Sequence, residues 1–531
     1  MSKSAKNRPK AMFLTEGGVF KQQRKAKKRE KFIDGVFYKN KFYVKFKEVQ
    51  RGALVKGDGV LHVFIKDAEI CYEVVPVEEL SVDQAEARFG DPRQIHRTKY
   101  VDREVLIAMF PDKAKIIQEC NTAKVDSSGT VPGVSDLIEV VESYHLPSGK
   151  KKKDGKHTIV INSGELLAEE YTKQRFPYVK LGWSKRLNGY WSQSLAEQLQ
   201  NLQLEINKTL WVIQRSMHMA GSFKVLIENG SKIVTEHLTN DIGAIINYNG
   251  TAPIYVTPPP IQQEYFQHLL NTKQLGFEQA GVSMLSAASM KPTGADSGKA
   301  LRTLNDIESE RFLAWGQAGE EFMLEVVEVT MDFAKDLAEI VEKDSDSETE
   351  FAVTYVGKNT IQKITWDEIA PDKGEEFVLK AYPVSQLPNE PRGRLATIQE
   401  YRQAGIIKPR TAKRLLDFPD LEQVEVLANA EEDYLNKILE DICDLGEAGY
   451  VPPDNFDDPQ LAKELVLQYI AYGKLHNLDP DNMALLETFS NQIDTLVEKA
   501  MPPVDPMSPP QGAPEATPTS NLIPNNAGAV A

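Results

Sequence analysis

The sequence predicts an α+β chain, and three observations lead to that class. A long amphipathic helix pattern at residues 192–220 is followed by a short strand-rich insert and a second helix pattern at 261–280. Alternating runs rich in Val, Phe and Tyr, the mark of half-buried strands, stand before this stretch and return after residue 351. From residue 394 onward the ordered patterns are all helical.

The rest of the chain is organised around the stretch 189–281. In its first helix Leu195, Leu199, Leu202, Ile206, Leu210, Ile213 and Met217 recur at steps of four or three, one apolar seam at helical period. No proline interrupts it, and at 1.5 Å per residue it spans roughly 40 Å. Gly221 ends it, as glycine does where a chain turns out of a helix. Residues 223–228 and 243–248 read as two short strands, and Pro258-Pro259-Pro260 is a rigid stop before the second helix. The predicted element is a stalk with a small β cap. It holds no catalytic motif, so its expected role is mechanical.

Length allows about two to four domains and a sizeable core. The net charge of −15 over 531 residues argues against a general nucleic-acid coat, which would be basic. The charge is uneven, with eleven Lys and Arg in residues 1–31 and an acidic C-terminal third. Cys71, Cys120 and Cys443 are far apart and lack CxxC spacing, which predicts a reducing compartment, no disulfide framework and no zinc site. No apolar run reaches the length of a membrane span and no signal-peptide core opens the chain, so the expectation is a soluble protein made inside the cell.

Taken in order, residues 1–31 are expected to be mobile or loosely helical, and read either as a solvated tail or as an electrostatic arm for nucleic acid or an acidic partner. Strands are predicted at 35–46, 59–65 and 70–76, with Gly57-Asp58-Gly59 as the turn between the first two. Short helices are expected at 102–109 and 113–119, a linker at 121–133, and a hairpin of 138–145 with 157–162. Its loop carries Lys150-Lys151-Lys152-Lys153, read as a solvated tip. Residues 283–297 form a small polar loop in which Lys291 and Asp296 are the only charges. A long helix follows from 297 to about 343, with Phe312, Trp315, Phe322, Val326, Val329, Phe333, Leu337 and Ile340 at heptad-like steps. Strands are predicted at 351–356, 361–365 and 376–382, and helices at 395–404, 409–416, 422–445, 459–476 and 481–500. The Pro- and Ala-rich segment 502–531 is expected to be disordered.

Two motifs fail on inspection. Gly294 to Lys299 superficially matches a phosphate loop, but three residues instead of four separate the glycines and Ala300 has no hydroxyl for Mg²⁺. Asp479-Pro480-Asp481-Asn482 with Glu487 lacks the glycine and most ligand positions of a calcium loop, and its aspartates suit a helix N-cap. The eight histidines show no HExxH, and there is no GxSxG or kinase set. No catalytic residue, metal ligand or cofactor is predicted, and the chain is expected not to be an enzyme.

The order of elements resembles the portal proteins of tailed bacteriophages. The matching residues are Asn7-Arg8-Pro9-Lys10, Ile33-Asp34-Gly35-Val36-Phe37-Tyr38, Gly57-Asp58-Gly59, Val82-Asp83 and Gly90-Asp91-Pro92-Arg93-Gln94-Ile95-His96-Arg97. Further on stand Leu199-Gln200 through Ile206-Asn207, Ser297-Gly298-Lys299-Ala300-Leu301, Ala404-Gly405-Ile406-Ile407 and Leu415-Leu416-Asp417-Phe418-Pro419-Asp420. No single motif is specific; the order and spacing over roughly four hundred residues carry the resemblance.

That resemblance implies a portal-like fold with wing, helical stem, small β-containing clip, long wing helix and α-helical crown. Mapped here, 1–190 would be the N-terminal wing (basic arm 1–31, then β-rich), 191–220 and 261–282 the stem helices, and 221–260 the clip. Residues 283–297 would be the tunnel loop, 298–345 the long wing helix, 346–393 the β-rich return, 394–500 the crown and 501–531 a disordered tail. It implies a closed ring of about twelve copies at one capsid vertex of the virion, made in the host cytoplasm. Double-stranded DNA would pass through it, packaged by the terminase large subunit and later ejected. Head-completion, adaptor or tail proteins and the major capsid and scaffolding proteins would be further partners, and no membrane is involved. Lys291, Lys208 and Arg215 are the candidates for channel-facing cations, or alternatively for intersubunit pairs with Glu205 or Glu278. Lys224, Glu228, Lys232 and Glu236 are the candidates for terminase or adaptor contact. The competing reading is a non-phage oligomeric scaffold or adaptor that binds nucleic acid through the basic N-terminal arm.

Overall fold

A computed structural model describes residues 10–15, 20–88, 91–122, 136–149, 152–220, 224–230, 254–256, 262–282, 312–343, 351–356, 361–370, 377–382, 391–407, 412, 419–454 and 458–500. The class is mixed, with helices and antiparallel strands, consistent with the α+β class the sequence predicts. Two compact units divide it: Met1–Gly18 with Gln22–Ala412, and Val19–Lys21 with Lys413–Ala531.

The first unit is layered. Strand β1 (Lys10–Thr15) is followed by helices α1 (Phe20–Lys39) and α2 (Phe42–Lys56), then β2 (Asp58–Lys66) and β3 (Glu69–Val75). Short β4 (Leu80–Ser81) and α3 (Gln84–Ala87) lead to β5 (Gln94–Asp102), and α4 (Arg103–Met109) and α5 (Ala114–Gln118) precede β6 (Leu137–His145). Strands β7 (Lys156–Ile161), β8 (Gly164–Glu170) and β9 (Tyr178–Gly182) complete two antiparallel sheets, ordered β3-β2-β9 and β4-β5-β6-β7-β8. Side-chain alternation divides the three-stranded sheet between two cores. Leu61, Val63, Ile70, Tyr72, Val179 and Leu181 face α1, α2 and the long helix α8 (Leu313–Lys343). Val60, Val75 and Tyr178 face Leu80, Ile95 and Tyr144 of the five-stranded sheet. The far end of that second sheet buries Leu106 of α4 and Ile117 of α5 against Ile138, Val140 and Ile161.

Helix α8 supplies Phe322, Met323, Val326, Val327, Val329, Ala334 and Leu337 to the first core, a stripe at steps of three and four. Phe46 of α2 stacks on Phe322 with ring centroids 5.6 Å apart. Strands β12 (Ala352–Val356) and β13 (Ile361–Thr365) form a hairpin, and β14 (Phe377–Tyr382) pairs antiparallel with β1, Lys10 opposite Tyr382. Helix α9 (Pro391–Gln403) closes the unit's described elements.

The second unit is a helical bundle of α10 (Pro419–Leu445), α11 (Pro459–Leu475) and α12 (Pro480–Ala500). Leu435, Leu439 and Ile442 pack with Leu461, Val466, Leu486, Phe489 and Ile493. Asp458 caps α11 by accepting from the Gln460 amide at 3.0 Å, and Pro459 sits in the first turn where no donor is lost.

Several expectations are corrected. The predicted strand 35–46 is the end of α1 and the start of α2. Phe32, Ile33, Val36 and Phe37, then Phe42, Phe46, Val49 and Ala53, are buried at helical spacing, which outweighs the β preference of their aromatic composition. Lys41, at φ 51°, makes the break between the helices, and the Asn40 side chain fills the corner by donating to Ile70 O at 2.9 Å and accepting from Tyr72 N at 3.0 Å. Gly57-Asp58-Gly59 is therefore a helix-to-strand joint. The tight hairpin turn lies instead at Asp67 and Ala68, both at positive φ, which matches the twist of β2 and β3.

From Phe20 the basic stretch is helix, not tail. Lys25 donates to Ala370 O at 3.4 Å, Arg29 to Ile369 O at 2.7 Å and Lys31 to Gln362 at 3.2 Å, while Lys28 pairs with Glu368. Arg29 is buried, with its guanidinium 3.5 Å from the Phe377 ring centroid. These cations fasten α1 to the segment that follows α8. Elsewhere the hairpin of β6 and β7, the helices α4 and α5, and strands β12, β13 and β14 agree with the sequence reading to within a few residues. Strands β1, β4, β5, β8 and β9 have no counterpart in that reading. Most of the linker 121–133, the strand 243–248, the loop 283–297, the first part of the long helix and the tail 502–531 lie outside the described residues.

Candidate functional site

The stalk is present as an antiparallel helix pair, α6 (Leu195–Ala220) and α7 (Gln263–Ala280). Ser194 caps α6 by accepting from the Glu197 amide at 2.9 Å, and Gly281, at φ 72°, ends α7. Two cross-ties fix the register. His268 meets Glu205 at 3.2 Å, and Gln279 donates to Gln198 O at 3.0 Å. At the other end β10 (Lys224–Leu226) pairs with β11 (Ile254–Val256), Lys224 opposite Val256. The first predicted cap strand is thus found, and its described partner is 254–256, a run too short and too proline-flanked to stand out in the sequence.

This helix pair is poorly buried. Among its described side chains only Thr209, Ile213 and Thr272 are buried. Leu204, Leu210, Trp211, Met217 and Met219 on α6 and Tyr265, Phe266, Leu270 and Leu275 on α7 are exposed. At about 100° per residue, Leu199, Ile206, Leu210 and Met217 form a flank turned aside from Thr209. Leu204, Lys208, Trp211 and Arg215 form a second stripe on the far side. On α7, Phe266, Leu270 and Phe277 run along the side away from Thr272. The predicted seam is real, but α7 covers only part of it.

The predicted site residues distribute as follows. Lys208 and Arg215 are exposed on the far stripe of α6, and the Arg215 guanidinium lies 5.2 Å from the Trp211 ring centroid. Glu205 is engaged by His268, and Glu278 accepts from Gln274 at 3.0 Å. Lys224 lies in β10, and Glu228 is exposed just beyond it. Lys232, Glu236 and Lys291 lie outside the described residues.

Sequence reasoning missed a buried charge network between the two sheets. Arg97 of β5 grips Glu73 of β3 with two bonds of 2.9 and 3.0 Å and donates to Glu79 at 2.9 Å. Its guanidinium also lies 3.4 Å from His62 Nδ1, which is 3.8 Å from Glu73, while His62 Nε2 is buried with no hydrogen-bond partner among the described residues. Burial accordingly pushes the His62 imidazole below its ordinary value. A second group centres on Glu142 of β6. Its carboxylate accepts from Tyr144 at 2.8 Å, from His157 Nε2 at 3.1 Å and from Lys99 at 3.4 Å. Burial opposes that charge, but the His157 bond and the Lys99 cation outweigh it and hold the carboxyl below the usual range. His157 lies flat on Tyr144, centroids 4.2 Å apart, with Nδ1 on Glu169 at 2.6 Å. Burial by itself would lower its pKa, yet the two carboxylates raise it.

Both nitrogens of His157 and both oxygens of Glu142 are spent inside the protein, while Arg97 of one sheet and Glu73 of the other tie the two sheets together. The signal available in the sequence was a histidine at an inward position of β7, opposite Tyr144 and beside Glu142. Among the described residues no group of His, Cys, Asp and Glu is arranged to hold a metal ion, and no helix is long and apolar enough to cross a membrane. No protein-family model and no curated protein matches the chain.

Proposed function

We propose that the chain assembles through the α6–α7 pair into a closed ring around an axial channel, and that the ring is a viral portal through which double-stranded DNA is packaged and released. One observation carries this reading: the helix pair displays apolar stripes on sides that the described residues of its own chain leave uncovered. A contiguous exposed apolar surface of this kind marks an interaction site. In the proposed contact the flank Leu199, Ile206, Leu210 and Met217 meets Phe266, Leu270 and Phe277 of the next copy. Two different patches in contact make a head-to-tail interface, and such interfaces close into rings when the rotation permits. Each half-exposed Leu, Met or Phe buried there contributes on the order of 1 kcal/mol.

The resemblance of the element order to portal proteins supplies the rest. Residues 221–260 would meet the terminase large subunit and later an adaptor or tail protein, with Lys224, Glu228, Lys232 and Glu236 as contact candidates. Lys208, Arg215 and Lys291 would face the DNA. Few cations suit a conduit, because each phosphate neutralised adds affinity that opposes sliding. Capsid and scaffolding proteins would surround the ring at one vertex of the virion. The test is light scattering after gel filtration, followed by negative-stain imaging. A discrete ring of about twelve copies is the expected result, and a monomer or dimer at micromolar concentration would overturn the proposal.

A further inference from the structure

The Gly57-Asp58-Gly59 motif belongs to neither the core nor the exposed stripes, yet it sits where the helix pair leaves the body. Asp58 is buried, 1% exposed, at the first position of β2. Its carboxylate accepts from the Ser192 amide at 2.6 Å and from the Ser192 hydroxyl at 2.7 Å. Ser192 and Ser194 are themselves buried, and α6 starts at Leu195.

Glycines clear the space for this contact. Gly57 stands at φ +104°, and a Cβ on it would come within 2.3 Å of Ser192 O. A Cβ on Gly182 would come within 2.1 Å of the Ser192 hydroxyl, and one on Gly59 within 1.9 Å of Val49 O in α2. The end of α2, the start of β2 and the end of β9 are thereby pressed around one serine. The surrounding loop is closed as well. Trp183 N donates to Gly57 O at 2.9 Å, Gln193 N to Ser184 O at 2.8 Å, and Arg186 holds Glu197 in the first turn of α6 with bonds of 2.8 and 2.7 Å. The Lys180 ammonium donates to Tyr190 O and lies over the Tyr190 ring.

A buried carboxylate is costly unless its oxygens are satisfied, and here both are satisfied by a single residue three positions before a helix. The pair it precedes has almost no core of its own to fix its direction. We propose that Asp58 and Ser192 form the joint that sets the angle at which the α6–α7 pair leaves the body, making Asp58 a positioning residue for subunit contact. The role in assembly rests on the ring reading; the joint itself does not. In a ring every copy must present its helices at one angle, so a loose joint would spoil register even with both stripes intact.

The test labels Lys66→Cys in β2 and Lys273→Cys in α7 with nitroxides in the full chain, after replacing Cys71, Cys120 and Cys443 by Ser, and reads the distance distribution by pulsed EPR. Asp58→Ala is expected to broaden the distribution at least about two-fold, as a segment released from its tertiary ties samples more orientations. Ser192→Ala should broaden it less, since the amide bond to Asp58 survives. Tyr72→Phe, which removes the buried hydroxyl contact to Thr330, is the control that weakens the body without touching the joint, and it should leave the width unchanged. If Asp58→Ala does not fold, Ser192→Ala decides. A width unchanged in the folded variants overturns the joint, whatever the oligomeric state. A wild-type chain that stays monomeric but shows the broadening upholds the joint and refutes the ring.

Discussion

The two-sheet body and the α6–α7 pair are built on opposite terms. In the body, the charged groups of the network between the sheets enter the interior with partners. Arg97 has two carboxylates, His157 has two, and Glu142 has four donors. Among the described residues the helix pair has two cross-ties, three buried side chains and apolar stripes facing outward. The body, among those residues, buries its apolar core within one chain, and the pair leaves much of its apolar surface exposed. Substitutions should divide accordingly, with body variants changing the stability of one copy and stripe variants changing only how copies meet.

The largest effect should come from the shared core. Phe32 of α1 is fully buried against Phe351 and Trp366, with ring centroids 5.9 and 6.3 Å away. Phe32→Ala should cost about 3–5 kcal/mol through the apolar area returned to water and the cavity left behind. Leu210→Ala, on an exposed flank, should change single-copy stability by no more than about 0.5 kcal/mol while weakening assembly. Urea unfolding alongside light scattering measures both. Equal destabilisation by the two variants would erase the proposed contrast.

Arg97→Met comes next. It leaves Glu73 and Glu79 facing each other across the sheets without their cation, but both carboxylates reach solvent, which reduces the penalty below that of a fully buried broken pair. A loss of about 2–3 kcal/mol is expected, from the cavity and the unsatisfied imidazole of His62 together. Double substitution with Glu73→Gln should recover part of it, and strict additivity in that cycle would show that the two groups do not act as a network.

This network also marks where the sequence stops being readable. The strands β6 and β7 are legible because Ile138, Val140, Glu142 and Tyr144 alternate inward, and the helix pair because its seam keeps helical period. Even there, Glu142 looks like an outward residue; only its neighbours on β5 and β7 explain a carboxylate at an inward position. The α1–α2 turn misleads because Phe, Tyr and Val dominate 35–46, and composition favours strand until long-range packing against β3 and α8 decides the matter. The β1–β14 pairing joins residues more than 360 positions apart, Lys10 to Tyr382, and no local pattern announces it. Of the site, the polar stripe with Lys208 and Arg215 is visible in helical spacing. The exposure of Trp211 between them is not, because a tryptophan in a helix reads as core.

The pH response should sharpen the contrast further. His157 has a raised pKa in the folded state, so its contribution is fully present below the unfolded value of about 6.5 and is lost as pH rises through the folded value. Glu142, with a lowered pKa, contributes above the unfolded value of about 4.3 and loses that contribution as pH falls. His62 adds a third effect: its lowered pKa means stability gained as pH rises through about 6.5. His157→Gln should thus cost about 1–2 kcal/mol at pH 6 and clearly less at pH 9. Melting curves of wild type and variant across that range provide the check; a difference constant with pH would mean that His157 is held neutral between its two carboxylates.

The smallest effect on stability and the finest question concern the far stripe of α6. Lys208 and Trp211 are exposed there, so Lys208→Gln and Trp211→Ala should each leave unfolding within about 0.5 kcal/mol of wild type. Their consequences for a ring separate two placements of that side. If the flank Leu199–Leu210 makes the subunit contact, the far stripe borders the channel; Trp211→Ala then leaves the ring intact and Lys208→Gln flattens the salt dependence of DNA retention. Removing one lysine–phosphate pairing lowers the slope of log affinity against log salt by about 0.9, and filter binding over a salt series reads that slope. We expect this outcome, because Lys208 and Arg215 lie on the side turned away from α7 and from the flank. Rings that fall apart on Trp211→Ala, with the salt slope of Lys208→Gln unchanged, would move the far stripe into the subunit contact and take both cations out of the channel.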